Sequence, residues 1–217
     1  ALSVSTADLS KVYDGGTSAS GATAIVSAGT LFSGDTLSGG TFAYTDKHVG
    51  AGNKTVTVSG VTVNDGNGGN NYTVTQSNNT TSTITQATLT VSGSRVYDHT
   101  TVMAGSNLTA TGVAGESFTV TGAGAAGNLS TRNVHTNQPM ASINGLALGA
   151  SSNGGVASDY TTLSTAGSQV SVTPAALTVS TVNVSKTYDG TITVSGAAAN
   201  VSAGTLFAGD SLSGGTF

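Results

Sequence analysis

The sequence predicts an all-β protein, and three features indicate this class: apolar residues that alternate with polar ones, turn-forming residues between these runs, and few charges. Only 7% of the residues are charged, against about a quarter in an ordinary soluble domain. The polar residues are mainly Ser, Thr and Asn, and the β-branched Thr and Val pack well on a pleated sheet. Disordered chains combine low hydrophobicity with high net charge. This chain has 37% hydrophobic residues and a net charge of -4, so we expect it to fold.

Runs of alternating apolar and hydroxyl residues predict strands, because successive side chains of a strand point to opposite faces. They lie at residues 55–58, 61–63, 72–74, 118–120, 170–172 and 177–179. Segments rich in Gly, Asn and Asp predict turns at residues 14–16, 39–40, 64–69 and 153–155. Short strands with regular turns, and no helical stripe, predict small immunoglobulin-like β-sandwich modules. A β-grasp-like all-β module is the alternative.

Internal repetition organises the chain. Residues 1–42 align with residues 176–217 without a gap, at an offset of 175 residues and with 29 identities in 42 positions. A divergent copy lies between them, in which Arg95–Asp98 corresponds to Lys11–Asp14. The sequence therefore predicts repeat 1 at residues 1–87, repeat 2 of a divergent subtype at 88–175, and an incomplete repeat 3 at 176–217 of the same subtype as repeat 1.

The joint between repeats is short. Ile84 and Gln86 have one parity along an extended strand, whereas Leu89 and Val91 have the other. Since the side-chain face changes with each residue, the chain leaves one core and enters the next within about two or three residues. We therefore predict that the modules are joined end to end as a semi-rigid rod.

Most charged residues recur at the same position in each repeat, as residues that serve the fold do. The first recurring set combines a basic residue, a tyrosine and an aspartate, namely Lys11, Tyr13 and Asp14, then Arg95, Tyr97 and Asp98, then Lys186, Tyr188 and Asp189. The other recurring positions hold the carboxylates Asp35, Glu116 and Asp210 and the tyrosines Tyr72 and Tyr160. We interpret all of them as a structural repeat motif. In this interpretation each tyrosine buries its ring with its hydroxyl bonded, and the aspartate opens a turn.

Residues that could form a catalytic or metal-binding site are scarce. His48, His99 and His135 are not equivalent between repeats, and none has metal-ligand spacing to another histidine. No nucleophile-elbow motif is present. We therefore predict no enzyme, and no catalytic, cofactor-binding or metal site. The segment Asn64–Asn70 has oxygen ligands and glycines but lacks the alternating acids of a calcium loop, so calcium remains an alternative only.

The composition also limits the partners. Six Lys and Arg against ten Asp and Glu provide no basic patch for nucleic acid. No segment has the roughly 20 apolar residues that a membrane-spanning helix needs, so we predict no membrane insertion. Cysteine is absent, which suits a chain exported unfolded. The expected partners are neighbouring repeats of the same polypeptide. The alternatives are self-association through sheet edges with few charges, and surface glycan or exopolysaccharide.

Three motifs resemble the YDG/MBG-type tandem repeats of large bacterial surface adhesins: Lys-Val-Tyr-Asp-Gly at 11–15, Lys-Thr-Tyr-Asp-Gly at 186–190, and Ile-Thr-Gln-Ala-Thr-Leu-Thr-Val at 84–91. Such repeats occur in filamentous-haemagglutinin-like proteins exported by two-partner secretion. The resemblance implies an extracellular location on the bacterial cell surface and a role in adhesion and biofilm contact, with no catalytic residues. Repeat 2 departs from the pattern at His99, which replaces the glycine of the turn.

The expected function is a structural stalk or spacer of a secreted surface adhesin, which projects a binding region for cell adhesion or biofilm contact. The alternative is that the repeats themselves bind glycan, matrix protein or neighbouring copies multivalently. Of the six tyrosines, only Tyr44 lies outside the repeated positions, so few aromatic residues remain for a sugar platform.

Overall fold

The computed structural model describes residues 1–217, and its regular structure is almost entirely strand, which confirms the all-β class. The first seven strands are β1 (Leu2–Thr6), β2 (Ser10–Val12), β3 (Ala24–Ala28), β4 (Thr36–Tyr44), β5 (Gly50–Asn64), β6 (Val74–Gln76) and β7 (Asn79–Thr85). The remaining strands are β8 (Thr90–Val96), β9 (Leu108–Thr111), β10 (Ser117–Thr121), β11 (His135–Gln138), β12 (Ala147–Ser151), β13 (Gln169–Thr173), β14 (Leu177–Thr181) and β15 (Ala199–Gly204). Three short 3-10 turns lie at Gly105–Asn107, Val113–Gly115 and Ala157–Asp159.

The chain folds into two compact units, each built from segments that are separate in sequence. Unit 1 comprises Ala1–Leu89, Ala110–Thr119 and Leu148–Leu163. Unit 2 comprises Thr90–Thr109, Val120–Ala147 and Ser164–Phe217. Each unit therefore contains residues of two successive sequence repeats.

Unit 1 contains a three-stranded sheet of order β3-β1-β6 and a four-stranded sheet of order β2-β7-β5-β4. In both sheets a strand from the start of repeat 1 pairs in parallel with a strand from its end, β1 with β6 and β2 with β7. Leu2 and Val4 of β1 are fully buried, and they pack against Val58, Val61 and Val63 of β5. The period-two spacing of Leu2 with Val4, and of Val61 with Val63, places each pair on one face of its strand. Val58 reaches the same core although it lies three residues before Val61, because Gly60 between them has a positive φ of 68°.

The predicted turn at Gly39 and Gly40 is wrong, because both residues lie inside β4. This strand pairs with β5 in one constant register from Thr36 to Tyr44, which places Gly40 opposite Gly60. Gly39, Gly40 and Gly60 have positive φ values of 69°, 111° and 68°. Glycine adopts such angles without steric cost, so both strands can bend at the same point without losing register.

Three of the predicted strand runs also need correction. The runs at 55–58 and 61–63 belong to one long strand, β5, rather than to two. Tyr72 and Thr73 precede β6, and the N–H of Tyr72 donates to the carbonyl of Gly69 at 3.2 Å. Tyr72 therefore sits at the end of a turn, where a contact with its hydroxyl, described below, fixes it.

In unit 2, β8 pairs in parallel with β13, and β13 pairs antiparallel with β11. Val91, Met103, Val170 and Val172 are at most 1% exposed and form part of the core. β14 and β15 form a separate two-stranded sheet. Leu177, the counterpart of the buried Leu2, is 36% exposed. No helix in the structure has both the length and the apolarity required to span a bilayer.

A buried asparagine organises the loops of unit 2. Asn128 is 0% exposed, and its side-chain amide donates to the carbonyls of Ser142 and Asn144 at 3.1 and 3.0 Å. Its side-chain oxygen accepts the N–H groups of Ala125 and Met103 at 2.5 and 3.4 Å. One side chain thus satisfies four backbone groups that would otherwise have to find partners elsewhere.

We expect Asn128→Ala to lower the free energy of unfolding of unit 2 by more than about 2 kcal/mol, because it leaves buried backbone groups without partners. Chemical denaturation followed by circular dichroism measures the change. Asn107→Ala is the matched control, since Asn107 is exposed in the same unit. Equal losses for the two variants would contradict the structural role of Asn128.

Candidate functional site

Each Tyr-Asp motif forms the same closed turn, which we call the Tyr-Asp turn. In repeat 1, the ammonium of Lys11 donates to Asp14 Oδ1 and to the carbonyl of Gly16, both at 2.7 Å. Asp14 Oδ1 also accepts the N–H of Gly16 at 2.9 Å. The hydrogen bond from Lys11 is the main cause that holds the pKa of Asp14 below its ordinary value. The turn is therefore closed by local contacts alone.

The same set of contacts closes the other two turns. It is made by Lys186 with Asp189 and Thr191, and by Arg95 with Asp98 and Thr100. His99 has a φ of 66°, close to the 79° of Gly15 and the 75° of Gly190. The turn of repeat 2 thus keeps its geometry although a histidine replaces the glycine, and histidine is among the residues that tolerate this conformation best.

The tyrosine of the first turn is buried against a carboxylate of repeat 2, within unit 1. Tyr13 is 1% exposed, and its hydroxyl donates to Glu116 Oε1 at 2.8 Å. Tyr160 donates to the other oxygen, Glu116 Oε2, also at 2.8 Å. The two rings meet edge to face with centroids 5.5 Å apart. We call this set, Tyr13, Glu116 and Tyr160, the carboxylate junction.

Backbone contacts on both sides position the junction. The N–H of Tyr13 donates to the carbonyl of Thr85 at 2.8 Å, which continues the parallel pairing of β2 with β7. The hydroxyl of Tyr160 accepts the N–H of Val113 at 3.1 Å. The side-chain amide of Gln86 donates to the carbonyl of Tyr160 at 2.8 Å. Both tyrosines are therefore fixed at the backbone and at the hydroxyl.

The junction is electrostatically balanced. Burial alone would raise the pKa of Glu116, but the hydroxyls of Tyr13 and Tyr160 and the nearby Lys47 outweigh it and bring the pKa below its ordinary value. Lys47 Nζ lies 3.1 Å from Glu116 Oε1 and 5.8 Å from the centroid of the Tyr13 ring. Burial, followed by the hydrogen bond to Glu116, raises the pKa of both tyrosines. At neutral pH the carboxylate is therefore ionised and both hydroxyls can donate to it.

Unit 2 repeats the contact with residues of repeats 2 and 3. Tyr97 donates to Asp210 Oδ2 at 3.0 Å, and its ring packs edge to face on Phe207 with centroids 5.5 Å apart. His99 Nδ1 lies 3.0 Å from the Tyr97 oxygen, and His99 Nε2 lies 2.9 Å from Arg132 Nη1. Because arginine can only donate, Nε2 is the acceptor and Nδ1 carries the proton. Arg132 corresponds in sequence to Lys47, so both contacts include a basic residue at the same repeat position.

The remaining members of the repeat motif differ in their surroundings. Asp35 accepts the hydroxyl of Tyr72, and that hydroxyl in turn accepts the N–H of Phe32 at 3.0 Å. This arrangement matches the contacts of Glu116 with Tyr160 and Val113, but the structure places no second tyrosine at Asp35. Tyr188 is 94% exposed. The structure thus brings Tyr13 and Tyr97 to carboxylates and leaves Tyr188 in solvent.

One pair in unit 1 was not predicted. Asp159 is 1% exposed, and its carboxylate lies 2.6 Å from His48 Nδ1 and accepts the N–H of Val49 at 2.9 Å. The available signal was a substitution, since Asp159 stands before Tyr160 where Asn71 stands before Tyr72. A carboxylate in place of an amide indicates that Asp159 has a specific partner, which the structure shows to be His48.

The structure contains no group of three or more His, Asp or Glu side chains placed to hold a metal ion. In the segment Asn64–Asn70, the alternative calcium loop, Asp65 accepts the N–H groups of Asn67 and Gly69, each at 2.8 Å, and that of Asn71 at 3.1 Å. The hydrogen bond from Gly69 is the main cause that lowers the pKa of Asp65. This carboxylate therefore already serves the backbone of its own loop.

These features define an all-β repeat protein in which a tyrosine of one repeat binds a carboxylate of the next. Residues 1–82 match the family model described as YDG domain, which supports a YDG-type domain in this part of the chain. No curated protein and no solved structure matches the chain.

We expect Tyr13→Phe to lower the free energy of unfolding of unit 1 by about 1.5–3 kcal/mol, because the buried Glu116 loses one of its two hydroxyl donors. Urea denaturation measures the change. Tyr188→Phe is the matched control, because this tyrosine has the same motif but is 94% exposed, and it should have no measurable effect. A loss as large in the control would show that the hydroxyl contact with Glu116 is not the cause.

The junction should also make stability depend on pH. The pKa of Glu116 is lower in the folded chain than its ordinary value of 4.5, so its ionised form stabilises the fold above that value. This contribution is lost as the pH falls through the lower, folded-state pKa. We expect Glu116→Gln to be less stable than the wild type at neutral pH, and the difference to shrink on acidification below 4.5. The other carboxylates titrate in both proteins and cancel in the difference. A difference independent of pH would contradict the assignment.

Proposed function

We propose that the chain is a structural stalk or spacer segment of a secreted bacterial surface adhesin, where it projects a binding region for cell adhesion or biofilm contact. The proposal rests on one observation, the recurrence of the same tyrosine–carboxylate contact between successive repeats. Tyr13 binds Glu116, 103 residues further on, and Tyr97 binds Asp210, 113 residues further on. The match of residues 1–82 to the YDG domain and the resemblance of the motifs to adhesin repeats support the same function.

A contact of this kind suits a spacer because it stabilises each repeat through its neighbour. In repeat proteins, stability is roughly the sum of the stability of each repeat and of the interfaces between neighbours. Each added repeat then extends the array without a new type of contact. The arrangement of the repeats as tandem immunoglobulin-like sandwiches in a semi-rigid rod belongs to this proposal, as does the extracellular location.

The recurring charged residues support a non-catalytic role without a cofactor. Lys11 and Asp14 close a turn, and Glu116 receives two tyrosines and a lysine. Each of these groups is engaged in a contact that the fold needs. Tyr44 lies outside the repeat motif. It is 3% exposed and therefore offers no stacking face to a sugar.

The competing proposal is that the repeats themselves bind glycan, matrix protein or exopolysaccharide through many weak sites. It draws on the two most exposed aromatic side chains, Phe32 at 67% exposure and Tyr188 at 94%. Exposed aromatic rings are the usual means by which a protein surface gains binding energy from a flat partner.

Direct binding distinguishes the two proposals. The folded chain is tested against glycans, matrix proteins and bacterial exopolysaccharides, each with and without calcium. For a spacer we expect no saturable binding under either condition. Saturable binding that disappears in Phe32→Ala or Tyr188→Ala would overturn the spacer proposal in favour of an adhesive array. Binding that requires calcium would identify a metal-dependent site.

A further inference from the structure

We propose that the surface formed by Phe32, Asp35 and Tyr72 is a docking site for the exposed Tyr-Asp turn at Tyr188 of a second copy of this chain. The docked Tyr188 would make the contact with Asp35 that Tyr13 makes with Glu116 and Tyr97 makes with Asp210. The inference goes beyond the spacer function and does not depend on it, since a chain that stays monomeric can still serve as a spacer.

The proposed receptor surface is a chemical copy of one that is occupied. Tyr97 docks on Thr205–Asp210, and Thr30–Asp35 has the same sequence except that Ser33 replaces Ala208. The local fold is also the same, because the N–H of Asp210 donates to the Phe207 carbonyl at 3.0 Å and that of Asp35 to the Phe32 carbonyl at 3.1 Å. The two surfaces differ in the tyrosine that reaches them. Tyr97 of the preceding repeat packs on Phe207, whereas Tyr72 of the same repeat lies beside Phe32, with ring centroids 6.3 Å apart, and leaves Phe32 67% exposed.

Only one carboxylate oxygen of Asp35, the proposed receptor, accepts a tyrosine hydroxyl. Glu116 uses Oε2 for the tyrosine of its own repeat and Oε1 for the tyrosine of the preceding repeat. Asp35 uses Oδ2 for the tyrosine of its own repeat, Tyr72, and has no tyrosine at Oδ1. The carboxylate junction also shows that two tyrosines fit at one carboxylate, with their rings edge to face at 5.5 Å. An incoming tyrosine would meet Tyr72 in the same way.

The Tyr-Asp turn of the proposed ligand is already closed. Lys186 and Asp189 close the turn with a contact of 2.8 Å, as Lys11 and Asp14 do in the turn whose tyrosine is buried. The ring of Tyr188 is nevertheless 94% exposed. Because the turn is closed before its tyrosine docks, the turn itself adds little to the conformational entropy that binding costs. Residues 185–187, the counterpart of β2, are not in a strand and would have to be ordered on docking.

The contact would join unlike surfaces of two copies, Tyr188 of one and the Phe32 surface of the other. A single contact leaves the Phe32 surface of one copy and Tyr188 of the other free, so further copies can add head to tail as concentration rises. Two copies that exchange the contact reciprocally would instead form a closed dimer.

Sedimentation velocity over a wide concentration series tests the proposal. We expect the wild type to form dimers and longer chains reversibly, and Tyr188→Ala to weaken this association by at least about tenfold, because it removes the aromatic anchor. Ile192→Ala is the matched control, because Ile192 is 98% exposed near the same turn but its counterpart in repeat 1, Thr17, makes no hydrogen bond to Glu116. Circular dichroism checks that every variant is folded.

A mixing experiment excludes association through other surfaces. Tyr188→Ala keeps the receptor surface, and the double variant Phe32→Ala/Asp35→Asn keeps the ligand. We expect each to remain monomeric alone and the two together to form dimers that do not grow further. Association of Tyr188→Ala at the wild-type strength, a wild type that stays monomeric throughout, or a mixture without dimers would each overturn the proposal. None of these outcomes would bear on the spacer function.

Discussion

The buried carboxylate of Glu116 is the constraint on which the arrangement of unit 1 depends. An ionised group at 7% exposure is costly unless hydrogen bonds and an opposite charge compensate it. Two tyrosine hydroxyls and Lys47 provide this compensation, and they come from distant parts of the sequence. The position of Tyr13, the turn that presents it and the approach of Tyr160 are all required to satisfy one side chain.

A chain with few charges and a thin core has particular need of such contacts. Much of the apolar content is Ala and Val, which bury little area per residue. The aromatic rings of Tyr13, Tyr160 and Phe118 therefore supply much of the bulk around the junction, with Phe118 and Tyr160 centroids 5.3 Å apart. Polar contacts take a comparable part in unit 2, where Asn128 replaces hydrophobic bulk by hydrogen bonds to four backbone groups.

The all-β class and the residues of the repeat motif could be predicted from the sequence, because both depend on short or periodic sequence patterns. It did not predict that Tyr13 and Glu116 meet, because no local pattern records a contact across 103 residues. The glycine pair at Gly39 and Gly40 was misread because glycine signals a bend, and a bend inside a paired strand has the same sequence as a turn. Asn128 was missed because asparagine is common in this chain and burial is a property of the fold alone.

Each of the two observed tyrosine–carboxylate contacts joins a repeat of one subtype to a repeat of the other, and each subtype supplies the tyrosine once. A tyrosine of the first subtype is received by Glu116 of the divergent repeat, and Tyr97 of the divergent repeat is received by Asp210 of the first subtype. Aspartate and glutamate thus serve equally as receptors, despite their different lengths. Insertion or deletion of a pair of repeats would therefore leave every remaining boundary chemically matched. If the proposed spacer is an array of such repeats, its length can change by whole pairs without any compensating change at the new boundaries.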